Sequence, residues 1–155
     1  MIKVLPAQER HIPQMLEVWK EFMDFHGQHH PYYARAPDGH DRFADWVREL
    51  VKNEDSLVLV ALDGDRVVGH LVARVEQRPA VFLHGRYGFV CDTAVASSHQ
   101  RRGVGSRMDQ AVALWFAERG VDHVELLAAT GNEHAQGFWR KRGYVPMATV
   151  MCRDT

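Results

Sequence analysis

The sequence predicts an α/β chain in which a central mixed β-sheet is flanked by helices. Three observations carry that expectation. Apolar residues recur at helical period in two N-terminal stretches, with Ile12, Met15, Leu16, Trp19, Phe22 and Met23 in one and Phe43, Trp46, Val47, Leu50 and Val51 in the other. Further on, Leu57 to Leu62 and Arg66 to Glu76 flank Asp63-Gly64-Asp65, which reads as a β-hairpin. A third strand-like run, Tyr87 to Val95, then passes through a basic, glycine-containing turn into a helix carrying Met108, Ala111, Val112 and Trp115 on one face.

The remaining elements fall into place around these. Met1 to Leu5 reads as a short opening strand. Gly27 to Gly39, with Pro31, Pro37 and several histidines, reads as a loop between the first two helices. Pro79 interrupts the connection that leads into the Tyr87 to Val95 strand, which completes a three-strand meander. Val121 to Ala128 reads as a second buried strand. Asn132 then suits the N-cap of a fourth helix, Gly143 suits its C-terminal cap, and Tyr144 to Arg153 reads as a last strand. Hairpins make antiparallel pairs, and the strand–helix–strand crossover predicts a parallel, right-handed one. With 155 residues, 46% of them hydrophobic, and no linker or repeat, residues 1–155 are expected to form one domain around one sizeable core.

Composition narrows the function. A net charge of −1 predicts no bulk affinity for nucleic acid or anionic membrane. No run approaches the roughly 18 apolar residues of a membrane span, and no basic segment followed by an apolar one opens the chain. Cys91 and Cys152 lack Cys-x-x-Cys spacing, so neither a disulfide framework nor a zinc site is expected. His29 and His30 are adjacent rather than one helical turn apart, and no cysteine or paired carboxylate completes a metal set. The expectation is a cytoplasmic protein without a metal.

The chemistry concentrates in Gln100-Arg101-Arg102-Gly103-Val104-Gly105, followed by Ser106. A strand that feeds such a turn into a helix N-terminus binds anions, because the first-turn N–H groups have no intrahelical partner and the dipole adds positive potential. Gly103 and Gly105 let the backbone approach closely and allow φ > 0, while Arg101 and Arg102 add charge. No Gly-Lys-Ser/Thr follows, so this is not a P-loop, nor does it have the G-x-G-x-x-G order of a dinucleotide fingerprint. The pattern Gln-x-x-Gly-x-Gly resembles the acetyl-CoA loop of the GCN5-related N-acetyltransferases (GNAT). Downstream, Asn132, Ala135, Phe138-Trp139 and Gly143-Tyr144 match that family's spacing. The order of elements is also that of the acetyltransferase fold over nearly the whole chain, although the specific motifs lie only between Asp92 and Tyr144.

The resemblance implies acetyl-CoA as co-substrate, and direct attack of an amine on its thioester in a ternary complex, with backbone N–H groups stabilising the oxyanion. It implies that Gln100 to Ser106 grip the diphosphate and that backbone groups of Thr93, Ala94 and Val95 pair with the pantetheine arm. Asn132 helps hold that arm, a role compatible with capping, beside Phe138 and Trp139. The loop after the first helix would wall the acceptor pocket, with Phe22, Phe25 and His26 to stack on a small-molecule amine and Asp24 to attract it.

Asp92, on the strand facing the thioester in otherwise apolar surroundings, is the candidate base, or else it orders the adjacent loop. His84 and Glu76 are weaker candidates, and His70 reads as a partly buried, hydrogen-bonded residue. Many family members place a Tyr where this chain has Trp139, and an indole N–H is no proton donor near neutral pH. Two other readings follow from the same residues: a non-catalytic acetyl-CoA-binding sensor, and a protein or peptide N-terminal acetyltransferase. A nucleotide-binding module unrelated to acyl transfer would instead let ATP or NAD compete with CoA. A homodimer pairing the apolar last strand (Tyr144, Val145, Met147, Val150, Met151) would cover an exposed edge.

Overall fold

The computed structural model describes residues 1–155. Five strands and four helices follow in the order β1 (Ile2–Pro6), α1 (Ile12–His26), α2 (Gly39–Leu50), β2 (Ser56–Asp63), β3 (Arg66–Gln77), β4 (Arg86–Val95), α3 (Val104–Glu118), β5 (Val124–Leu126) and α4 (Glu133–Arg140). The sheet runs β1-β2-β3-β4-β5, antiparallel throughout except for the parallel β4–β5 pair. The expected α/β class with a mixed sheet and flanking helices is the observed one. The β2–β3 hairpin turns through Gly64 at φ 62°, a conformation that needs no Cβ.

Each face of the sheet carries its own apolar layer. On one face Ile12, Met15, Val18 and Trp19 of α1 and Phe43, Val47 and Leu50 of α2 pack on Val58, Val60 and Val72. The rings of Trp19 and Phe43 stack 4.9 Å apart, which ties the two helices together. On the other face Val104, Met108, Val112 and Phe116 of α3, with Trp139 of α4, pack on Leu59, Leu71, Ala73 and Val90. Phe116 lies so close to β4 that a Cβ on Gly88 would meet its ring at 2.6 Å, so only glycine fits there.

Two expectations at the C-terminal end need correction. The strand expected over Val121 to Ala128 is only three residues long. The last strand expected over Tyr144 to Arg153 does not form, and that segment carries no ladder. Apolar content alone does not make a strand, because a ladder needs a partner edge, and Pro146 also lacks the N–H to donate. Val145, Met147, Val150 and Met151 are exposed instead. No helix is long and apolar enough to cross a membrane.

Candidate active site

The site begins where β4 and β5 part. Their ladder pairs Gly88 with Val124, Phe89 with Glu125 and Val90 with Leu126, and then ends. On its other edge β4 stays paired to β3 as far as Val95, but with a bulge: Val90 faces Ala73 and Asp92 faces Val72, leaving Cys91 extra. A bulge bends its strand and increases the local twist, which accounts for the divergence from β5. It also resets the alternation of side chains. Counted from Val90, which packs with the α3 layer, Asp92 would share that layer; the extra residue turns it to the α1–α2 face, alongside Val72 and Ala94. Asp92 to Val95 thus form a β4 segment bonded on one edge only.

Beyond Val95 the chain turns into the first turn of α3 through the Gln100–Gly105 segment. A 3-10 turn over Ser97–His99 is anchored by the buried His99, whose ring nitrogens lie 2.8 Å from Ser98 Oγ and 3.1 Å from Asp63 Oδ2. The hydrogen bond with His99 is also the main cause that holds the Asp63 carboxyl below its ordinary pKa. Gln100 donates its side-chain amide to the Val95 carbonyl at 3.2 Å, bracing the loop against the end of β4. Arg101 takes φ 60° and Gly103, the N-cap of α3, takes φ 79°. Left-handed residues alternating along a turn point successive N–H groups into a concavity suited to an anion. Arg101 achieves this without being glycine, a conformation uncommon for any other residue type.

Gly105 is small for a different reason from the one the sequence suggests. It lies inside α3 without a positive φ, and a Cβ there would meet the Phe138 ring at 2.9 Å. Phe138 is held between that backbone and the Arg142 guanidinium, 3.5 Å from its ring centre. Arg142 also reaches Ser106 Oγ, the Phe138 carbonyl at 2.9 Å and Asp109 at 3.5 Å. Arg142, which in the sequence reads only as part of a basic stretch Arg140-Lys141-Arg142, therefore brings a cation to the first turn of α3 and locks α4 onto it. Asn132 caps α4 as expected, accepting from the Ala135 N–H at 3.1 Å. Trp139 is buried in the α3–α4 layer with its ring 5.3 Å from that of Tyr144. Burial, reinforced by Asp109, pushes the Tyr144 hydroxyl up to about 12.

On the opposite face Asp92 does not stand among apolar groups alone. Its Oδ2 lies 2.8 Å from Nε2 of His70, a histidine that is 0% exposed, while the Asp92 side chain retains 12% exposure. His26, at the end of α1, is close enough to Asp92 to feel its charge, but burial and neighbouring His29 hold the His26 pKa below the ordinary value. His26 stacks on Tyr33 at 4.3 Å and on Phe22 at 5.5 Å, and Phe25 meets His29 edge-on at 4.9 Å. His29 in turn packs on Gly131, ahead of α4, so this aromatic loop spans from α1 to the far side of the gap.

Asp24 points elsewhere. Arg35 holds it through two bonds of 3.0 and 3.3 Å on the exposed surface, so the carboxylate expected to attract an amine is already paired. His84 is exposed in the β3–β4 connection, and Glu76 pairs with Arg74 at 3.4 Å. No group of three or more His, Cys, Asp or Glu side chains converges in a way that would hold a metal ion.

A sheet that splits beside a bulged strand, a turn with two left-handed residues after it, and a capped helix packed over that turn make up the architecture. Residues 12–144 match the acetyltransferase (GNAT) family, and the chain belongs to it. It is 26% identical over 98 residues to N-alpha-acetyltransferase 30 of Xenopus laevis, an alignment covering 63% of this chain and 35% of that protein. The chain thus spans about a third of the length of that curated relative. Among solved structures it is similar to a tetramutant of the BH1408 protein of Bacillus halodurans, with a TM-score of 0.85, 19% identity and 99% of each chain covered. It is also similar to the aminoglycoside N-acetyltransferase AAC(6')-Iy in complex with CoA, with a TM-score of 0.79, 14% identity, and 100% of this chain and 95% of that one covered. At these identities the two structures share the fold.

Proposed function

We propose that this chain is an acetyl-CoA-dependent N-acetyltransferase whose acceptor is a small molecule bearing a primary amine. The observation that carries the reading is Asp92: a carboxylate turned by the Cys91 bulge to the α1–α2 face, where β4 parts from β5. The residues present fit an acyl-CoA. The one-sided edge at Thr93, Ala94 and Val95 suits the amides of a pantetheine arm. The N–H groups from Arg101 to Ser106, with the charges of Arg101, Arg102 and Arg142, suit a diphosphate. Asn132, Phe138 and Trp139 form the α4 side of that site. Bound there, acetyl-CoA would supply an activated acetyl thioester.

The chain's own part is to bind, orient and move protons. Phe22, Phe25 and His26 wall the acceptor side, and Asp92 takes the proton that the amine must lose to become a nucleophile. An indole N–H cannot supply a proton to the leaving sulfur, and Tyr144, beside Asp109 with its pKa pushed up to about 12, is a weak donor. Departure is therefore unassisted, or protonated by water. The unpaired thiols of Cys91 and Cys152 suit a reducing compartment such as the cytoplasm. The exposed Val145, Met147, Val150 and Met151 would be covered in a homodimer.

The match to N-alpha-acetyltransferase 30 favours a second reading, in which the acceptor is the free N-terminus of a peptide. Thiol release from acetyl-CoA measured against aminoglycosides, polyamines, amino acids and free-N-terminal peptides separates the two. Amine-dependent release with one class is expected. Asp92→Asn is expected to lower kcat by about 10²–10⁴-fold while leaving CoA affinity in place. Unchanged turnover in that variant would remove Asp92 from the role, and silence across the panel would favour a cofactor-binding protein without catalysis.

A further inference from the structure

We propose that His70 is the positioning residue for this reaction: buried behind Asp92, it donates its Nε2–H to Oδ2 and so presents Oδ1 to the incoming amine. The inference rests on the reading of Asp92 as base and deepens it.

His70 lies in the middle of β3, is 0% exposed, and stands where an apolar side chain would ordinarily fill the layer under α2. Burying an imidazole is costly unless its polar atoms are used, and here only one is used. Nε2 meets Asp92 Oδ2 at 2.8 Å, whereas Nδ1 is buried with no hydrogen-bond partner. That asymmetry selects the tautomer. A proton on Nδ1 would bury an unpaired donor, and in the neutral ring it would also leave the Nε2 lone pair facing a carboxylate oxygen. The geometry therefore calls for the proton on Nε2, where it is donated to Asp92 Oδ2.

The pairing is built into the sheet. His70 faces Ala94 and Asp92 faces Val72, so the two side chains are diagonal neighbours on one face. In this chain the extra Cys91 brings them to one face; regular alternation through Cys91 would have turned Asp92 to the α3 layer. Phe43 of α2, its ring centre 5.5 Å from that of His70, packs against the imidazole. Oδ1 of Asp92 has no protein partner, and the side chain keeps its small exposure. The titratable groups around Asp92 are His70 from β3, His26 from α1 and Cys91 from its own strand.

The proton count is simple. The amine's N–H bond breaks, an O–H bond forms at Oδ1, and His70 keeps its proton throughout, because buried Nδ1 offers none of the exits a relay requires. Asp92 then returns the proton to water.

Two measurements on the full chain test this. Nitrogen NMR of histidine-labelled protein should show the His70 ring proton on Nε2, hydrogen-bonded to Asp92; a neutral ring with its proton on Nδ1 overturns the proposal. Turnover is then followed with the amine panel above. His70→Phe, which keeps the ring shape and removes the donor, should lower kcat by about ten-fold or more with the acetyl-CoA KM unchanged. His70→Gln, which restores an N–H near the same place, should recover most of that loss. In an Asp92→Asn background His70→Phe should cost nothing further. A merely structural histidine predicts the opposite: reduced thermal stability with kcat per folded molecule unchanged, or losses that multiply in the double variant, and either result overturns the proposal. The failure of the base reading itself looks different, since Asp92→Asn alone would then keep full turnover.

Discussion

The two faces of the sheet solve their binding problems with different materials. On the α3 side the device proposed for the diphosphate is main chain: Arg101 at φ 60° and Gly103 at φ 79°, followed directly by the first turn of a helix. On the α1–α2 side it is side chains, with His26 from α1, His70 from β3 and Asp92 from β4 brought together by register and packing. A backbone device must be contiguous, so it leaves a local spacing of residues behind. A side-chain device can be assembled from anywhere, and it leaves none. Under the proposed function, the first half would hold a group common to many proteins and the second would choose what reacts with it.

The hinge between the halves is Cys91, and removing it gives the strongest test of the comparison. Deleting Cys91 keeps the register of Asp92 with Val72 but takes away the bulge that bends β4. The straightened strand should continue its ladder with β5 beyond Val90 and close the edge at Thr93 to Val95. Loss of CoA binding by about ten-fold or more in a folded protein is expected, read by calorimetry beside circular dichroism. Retained affinity would mean that the gap does not depend on the bulge.

Next in size is Gly105→Trp, which acts on the α3 side alone. Even a Cβ meets Phe138 at 2.9 Å, so an indole must drive α4 off α3 and displace Arg142 from the turn. Overpacking of this kind costs about 1–3 kcal/mol in stability, and CoA affinity should fall with it. Unaltered affinity would argue against placing the diphosphate at this turn.

These two positions also show what the sequence disclosed. The periodic stripes of α1, α2 and α3 and the Asp63-Gly64-Asp65 turn were legible because each is a local pattern, as were the Asn132 cap and the Gly103 turn. Gly105 was legible as a required glycine but not for its reason, which depends on a ring more than thirty residues away. The face of Asp92 was hidden, because counting from Val90 gives the wrong side and Cys91 carries no mark of a bulge. The His70 partner and the Arg35 hold on Asp24 were hidden in the same way, since both are tertiary pairs. Tyr144 to Arg153 misled because its apolar content says nothing of whether a partner edge awaits it.

A gentler comparison uses pH. Burial first, and His29 second, lower the His26 pKa, against an opposing effect from Asp92. A histidine whose folded pKa lies below its unfolded value binds fewer protons when folded. Its contribution to stability is therefore intact above the ordinary histidine range and is lost as pH falls through 6.5 toward the lower folded value. His11, lowered by burial and then by Arg10, adds a contribution of the same sign. Thermal midpoints should drop between pH 7.5 and 5, and His26→Asn should flatten part of that drop. A drop unaffected by the substitution would place the titration outside the acceptor loop.

The smallest expected effect is the most selective one. Asp24 and His26 are two residues apart on α1, which turns their side chains about 200° from one another. One faces Arg35 and solvent; the other faces Phe22, Tyr33 and the charge of Asp92. If the acceptor side is defined by tertiary placement rather than by charge along the helix, Asp24→Asn should alter the acceptor KM by less than about two-fold, because an exposed ion pair contributes little and is screened by salt. His26→Ala should raise the same KM by more, since it removes a ring that stacks on both Phe22 and Tyr33. The opposite ranking, with Asp24 dominant and its effect fading in salt, would mean that a cationic acceptor is steered along the outer face of α1 before it reaches Asp92.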